Sequence, residues 1–461
     1  MPEMTLDSVA AAVNGHVDPG RPRLPLRHYL FDTRDLTEPN SLFFALRGET
    51  ADGHDFLDRM AAFPHCAAVV AADWKGPAPV PVIRVADPLA AAQKLGSRVR
   101  ATHASVRYAG ITGSAGKTST KEFMARLLST RFRAYRSRGN WNNWIGMPFS
   151  LLNMPDETEA AVFELAMSDP GIGEIHRLAR ILRPHVAVIL NAFPVHLEFL
   201  KTVDNVARAK LEIADFLSAD DYLVINGDDP RLAAAVDGVK GEVVRFGHGE
   251  GVNDVVMKKA ERQEEGTLLT ISWWGAEVRF HTSLIHQVHL DNLFAAMVAA
   301  HMLGVTHREM EQVLDELEPV AGRGVIRRAG RFTIVDETYN SNPEAVKRVL
   351  AWVEKEFSSP RIAVLGDMLE LGPREMDFHR EVGAFWAGLD FDALIAVGSR
   401  ARSIREAALD AGADPERVVS LPDALAAAEY LKRNFPDPCV LLLKASRGMA
   451  LETIIKELSD G

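Results

Sequence analysis

Tyr108-Ala-Gly-Ile-Thr-Gly-Ser-Ala-Gly-Lys-Thr-Ser-Thr120 is the stretch on which the fold of this chain turns. An apolar run ends in Gly113, Gly116, Lys117 and Thr118, and the helix-forming segment Lys121 to Leu128 follows. Strand, glycine-rich loop and helix in that order make a phosphate cradle. Backbone N–H groups of Gly113, Ser114, Ala115, Gly116 and Ser119 point at phosphate oxygens, Lys117 supplies a point charge, and the Thr118 hydroxyl can hold Mg²⁺. The strict pattern G-x-x-x-x-G-K-[ST] would require Gly at position 111, where this chain has Ile111. The physical context is nevertheless complete.

Working outward, 461 residues are too many for one core, so about two to four domains are expected. A net charge of −11 argues against a nucleic-acid binder, which carries a basic face. Cys66 and Cys439 are the only cysteines, which fits a reducing compartment and excludes a disulfide framework. The start, Met1-Pro-Glu-Met-Thr-Leu-Asp, has neither a basic nor an apolar leader region, and no apolar run approaches the roughly 20 residues of a bilayer span. A cytoplasmic protein without membrane insertion is expected.

Before the cradle, residues 1–104 read as a small α/β unit: a helix over Thr5–Val13, strands at 41–46, 67–71 and 80–85, and helices at 56–62 and 87–102. Asp32-Thr-Arg34 precedes the first of those strands and Arg47-Gly-Glu-Thr-Ala-Asp-Gly-His54 follows it. After the cradle, Arg138-Gly-Asn-Trp-Asn-Asn-Trp-Ile-Gly-Met-Pro148 brings three amides close together, as a turn or as a grip on a polar substrate. Glu164 interrupts the apolar strand 160–167; a carboxylate there must be paired or bind a metal. His196 lies past the C-terminal end of the strand 185–191, where open α/β sheets place ligands. Lys210 falls within the apolar stripe of a helix over 203–217 and must shift its pKa or find a partner. An antiparallel excursion over 255–283 and a helix over 290–303 complete the segment 105–318. Residues 319–461 alternate strands (332–335, 362–365, 393–397, 440–443) with helices in a Rossmann-like pattern that lacks G-x-G-x-x-G. Polar clusters mark three of its strand ends: Asp336 to Pro343, Gly366 to Gly372, and Lys444 to Arg447.

These motifs together resemble the Mur ligases, ATP-dependent amide-bond ligases of peptidoglycan synthesis, over essentially the whole chain. Within the family they resemble the branch that joins D-alanyl-D-alanine to UDP-N-acetylmuramoyl-tripeptide. A branch member adding a single amino acid, a folylpolyglutamate-type ligase and a non-catalytic nucleotide-gated relative are the alternatives. The resemblance implies three α/β domains: 1–104 for the UDP-sugar substrate, a P-loop ATPase-like parallel sheet over 105–318, and a C-terminal ligase domain over 319–461. It implies that Thr33, Arg34 and Gly48 hold the uridine diphosphate. It implies that Asn140, Asn142 and Asn143 face substrate, that Thr118, Glu164, His196 and a carbamylated Lys210 hold two Mg²⁺, and that Asn292 contacts adenine. Arg323, Asp336 and Tyr339 would close over ATP, with Asn340, Asn342, Asp367 and Glu370 towards the incoming dipeptide. Lys117, Lys210, His196 and Arg323 carry the catalytic roles in that reading, in a protein expected to be monomeric. The chain departs from the family around Ser168 to Ile175, which is longer than usual, and at His286-Gln-Val-His289, where His-Asn is usual.

Overall fold

The computed structural model describes residues 4–17, 24–49, 51–167, 172–195, 197–358, 360–369 and 371–459. Besides a two-stranded antiparallel pair, Met4–Thr5 with Pro25–Leu26, three larger sheets follow one another along the chain. The first comprises His28–Leu30, Ser41–Phe44, Ala67–Ala71 and Val82–Val85 in parallel order, with His16–Val17 antiparallel at one edge. Its strands are buried apolar runs, as a sheet covered on both faces requires. The segment 56–62, expected as an α-helix, lies within a 3₁₀ stretch, Gly53–Ala62, opened by the Asp52 side chain. The helix Leu6–Val13 ends at Asn14, whose φ of 58° takes the left-handed position; Gly15 follows it.

The central sheet runs, in spatial order, Ala134–Arg136, Ala160–Glu164, Arg107–Thr112, Val186–Ile189, Tyr222–Asn226 and Glu242–Gly247, all parallel. It continues into Val255–Arg262, Thr267–Trp273 and Ala276–Thr282, which pair antiparallel with one another. Arg107–Thr112 lies inside the sheet, with later strands added on both sides. That is a topological switch point, and the crevice beyond its C-terminal end is where such sheets bind ligands. The helix Gly146–Leu152 carries Phe149 and Leu152 out of this domain into the first one's core, where Phe149 meets Phe31 at 4.8 Å and Phe44 at 5.2 Å between ring centroids.

The third sheet orders Phe332–Glu337, Cys439–Lys444, Arg361–Gly366, Ala393–Val397 and Val418–Leu421 in parallel, with Val325–Ala329 antiparallel at the edge. Glu337 and Lys444 are register partners at neighbouring strand ends. The mixed α/β class expected from sequence is the class observed. Cys66 and Cys439 are both buried free thiols, and among the described residues no helix is long and apolar enough to cross a membrane.

Candidate active site

Gly116, at φ 85°, ends the strand-to-helix loop and starts the helix Lys117–Ser129. A Cβ at position 116 would sit 2.2 Å from the Asn292 amide oxygen, so only glycine lets the loop pass that close. Loop and helix N-terminus line a cleft of about 310 Å³ that contains Gly113 to Ser119, Asn142, Glu164, Lys210, His289 and Asn292 on the central side. Arg323, Glu337, Tyr339, Asn340, Asn342 and Lys444 come from the C-terminal side. The two halves therefore meet over the phosphate cradle.

Within the cleft, the Thr118 hydroxyl donates to Glu164 Oε2 at 2.8 Å and the Asn142 amide donates to Oε1 at 2.9 Å. The carboxylate is buried and both oxygens are partnered. Lys117 Nζ donates to the Gly113 carbonyl at 2.8 Å. Burial pushes the Lys117 ammonium below its usual pKa; the Glu164 charge opposes that shift and Arg323 adds to it. Lys210 is buried too, and burial, reinforced by the Lys117 charge, holds its amine well below the ordinary lysine range. The Arg323 guanidinium carbon lies 4.1 Å from the centre of the Tyr339 ring, a cation–π contact that fixes both over the cradle.

Other sequence candidates fall elsewhere. His196 and Glu370, and the segment 168–171, lie outside the described residues. Of the three clustered amides only Asn142 faces the cleft. The Asn143 side chain accepts from the N–H groups of Ile145 and Gly146, at the start of the next helix, and Asn140 is exposed in the turn. Asn342 lines the cleft and also caps the helix Pro343–Glu356 through the Ala345 N–H. Asp336 accepts from the Thr338 hydroxyl and pairs with Arg327 at 3.5 Å, while its neighbour Glu337 lines the cleft. Asp367 is buried and accepts from the Ala401 N–H. The loop after it is held by His379, whose Nε2 accepts from the Met368 N–H. Thr33, Arg34 and Gly48 sit in the first domain. The Thr33 hydroxyl accepts from Arg59, Arg34 forms an exposed pair with Asp32, and Gly48 closes a turn onto Ala51.

Two groupings come from the fold and not from any motif, although Glu337 and Lys444 lie in polar clusters marked in the sequence. The first is the Glu337–Lys444 ion pair, 2.8 Å long, at the C-terminal wall. Burial alone would raise the Glu337 carboxyl, but Lys444, with His286 and His289, outweighs it and holds the group below the usual range. A depressed carboxylate pKa adds stability above the unfolded value of 4.5, and that stability is lost as pH falls through the folded value. Lys444→Met leaves this carboxylate unpaired and is expected to cost the C-terminal domain ~3 kcal/mol at pH 7, read by urea denaturation, with the deficit already shrinking above pH 4.5 as pH falls, because burial without Lys444 raises the carboxyl and lets it take up a proton. The second group lines an adjoining cleft of about 480 Å³, shared with the first at Ala115, Gly116, Val288, Asn292, Glu337 and Ala345. Leu190, Phe246 and Phe294 give it apolar walls, and Asp228, His248 and Asp291 a polar rim. Hydrogen bonding to Asp291 raises the His248 pKa.

Residues 111–300 match the Mur ligase middle domain and residues 322–447 the Mur ligase glutamate ligase domain. The UDP-N-acetylmuramoyl-tripeptide–D-alanyl-D-alanine ligase of Bacillus subtilis (strain 168) is 34% identical, covering 100% of this chain and 99% of that one. The chain belongs to the Mur ligase family. Among solved Mur ligases, MurF from Acinetobacter baumannii superposes with a TM-score of 0.88 at 27% identity over the full length of both chains. MurF from Thermotoga maritima, solved with ADP, superposes with a TM-score of 0.80 at 28% identity, covering 94% of this chain and 97% of that one. In this Mur ligase the cradle, Glu164 and Lys210 fall inside the matched middle domain, and Arg323, Glu337, Tyr339 and Lys444 inside the matched C-terminal domain.

Proposed function

We propose that this chain joins D-alanyl-D-alanine to UDP-N-acetylmuramoyl-tripeptide at the expense of ATP, as its full-length Bacillus subtilis relative is named to do. The observation that carries the reading is the convergence of Lys117, Thr118, Glu164 and Lys210 with Arg323 and Tyr339 in one cleft. ATP phosphates lie on Gly113 to Ser119, where the helix N-terminus and loop N–H groups favour anions. The base occupies the adjoining cleft against Asn292, between Leu190 and Phe246.

The terminal carboxylate of the tripeptide attacks the γ-phosphorus. Its O–P bond forms as the bond to ADP breaks, giving an acyl phosphate. Lys117 and Arg323 offset the charge on the phosphoryl oxygens in flight. The amine of the dipeptide then attacks the acyl carbon, and phosphate leaves with the bonding pair. Asn142, Asn340 and Asn342 line the route of the two peptides. Walls from two domains keep water from the acyl phosphate.

The side chains suit Mg²⁺: Thr118 and Glu164 offer hard oxygen donors 2.8 Å apart. His196 and Lys210 as its carbamate complete the set. Mg²⁺, when bound, neutralises phosphate charge. Burial and the Lys117 charge hold Lys210 as the free amine, the form that adds CO₂, and the same Lys117 charge favours the anionic carbamate. Bicarbonate labelled with ¹³C should give a carbamate signal in the wild type and none in Lys210→Met. The enzyme acts as a cytoplasmic monomer in this reading.

Mass spectrometry of the product tests the assignment. UDP-N-acetylmuramoyl-tripeptide should gain the mass of the dipeptide, less water, from D-Ala-D-Ala. Product from a single amino acid instead would move the chain to another branch of the family.

A further inference from the structure

We propose that Lys121 is a positioning residue that ties the acceptor-substrate loop to the phosphate cradle. The proposal rests on the assignment of Asn142 to the substrate side of the cleft. Lys121 lies one helical turn beyond Lys117 and Thr118, in the helix they open, and its side chain is wholly buried. Its ammonium donates to the carbonyls of Ser137 at 2.9 Å and Gly139 at 3.1 Å. Its third neighbour is the Glu122 carboxylate at 3.3 Å, whose other oxygen pairs with Arg136 at 2.6 Å. One helical turn thus grips 136–139 at three points, immediately before Asn140 to Asn143.

What that segment controls lies in the cleft. The Ser137 hydroxyl accepts from the Glu164 N–H at 3.3 Å, and the Asn142 carbonyl accepts from the Ala166 N–H at 2.8 Å. The Asn142 amide reaches Glu164, the same carboxylate that takes the Thr118 hydroxyl. Beyond the loop, the helix Gly146–Leu152 is anchored in the first domain's core through Phe149. The loop therefore spans from that domain to the cradle, and Lys121 sets its register at the cradle end. Burying an ammonium is costly, and an apolar side chain would fill the same space at less cost. The cation is justified by the donors it presents to two backbone carbonyls.

The test is a double-mutant cycle of Lys121→Met with Asn142→Ala on the full chain. Lys121→Met should leave ADP affinity within about twofold and raise KM for UDP-N-acetylmuramoyl-tripeptide about tenfold, with KM for D-Ala-D-Ala unchanged. In the Asn142→Ala background the same change should raise that KM by less than about threefold, because the residue through which Lys121 acts is already gone. Equal factors in both backgrounds, or a matching loss of ADP affinity, would overturn the proposal. Lys121→Arg, which keeps charge and donors but not their reach, carries the same cycle if the methionine variant does not fold. A wild-type enzyme that ignores this acceptor refutes the substrate assignment, whereas an active wild type with an additive cycle refutes the role of Lys121 alone.

Discussion

Lys117→Ala is expected to lower phosphate release by roughly 10³-fold or more while the protein stays folded. The ammonium sits at the first turn of the cradle helix, where charge builds on the transferred phosphoryl group, and no other lysine of the loop can replace it. Its loss should cost little stability. In the folded state the group is desolvated, its pKa is pushed down, and it donates to the Gly113 carbonyl without a direct ion pair among the described residues. Removing such a charge relieves a penalty as well as a hydrogen bond, so the melting temperature should stay within about 2 °C of wild type. Thermal melts alongside phosphate-release assays separate the two effects. A variant that keeps ligating would remove the cradle from the mechanism.

Glu164→Gln is the second large effect. Glutamine keeps the shape and can still meet Asn142 and Thr118, so the network survives while the negative charge goes. The expected result is a kcat about 10²-fold lower, an Mg²⁺ requirement displaced to higher concentration, and an unchanged melting temperature. Glu164→Ala differs in kind. It removes the acceptor of the half-buried Thr118 hydroxyl and Asn142 amide, at about 0.5–1.5 kcal/mol for each hydrogen bond lost. An Mg²⁺ titration of kcat for both variants, with melts, distinguishes lost charge from lost structure.

The parallel strands were legible because a sheet covered on both faces writes itself as apolar runs. Glu164 and Lys210 were legible for the converse reason: one is a charge inside an apolar strand and the other a charge on the apolar stripe of a helix, and the fold brings both to the cradle. What sequence could not resolve was direction. Asp336 and Glu337 are consecutive in one strand, so they point to opposite sides, and the choice of the one that lines the cleft depends on which face the C-terminal sheet presents. Asn140, Asn142 and Asn143 are equivalent on paper; Asn143 is taken up by a helix start that depends on Phe149 docking into another domain. The adjoining cleft draws on residues from 115 to 349, so no local spacing announces it. The strand Glu242–Gly247 escaped notice because its Glu and Arg break the apolar pattern. Lys121 carried a signal that went unread, a lysine in the core-facing row of the cradle helix.

The most direct measurement is phosphate release with Mg-ATP, UDP-N-acetylmuramoyl-tripeptide and D-Ala-D-Ala, each left out in turn. Release is expected only when all three are present, because the acyl phosphate forms on the acceptor and is discharged by the dipeptide's amine. Sustained release without the acceptor, or none with all three, would contradict this mechanism.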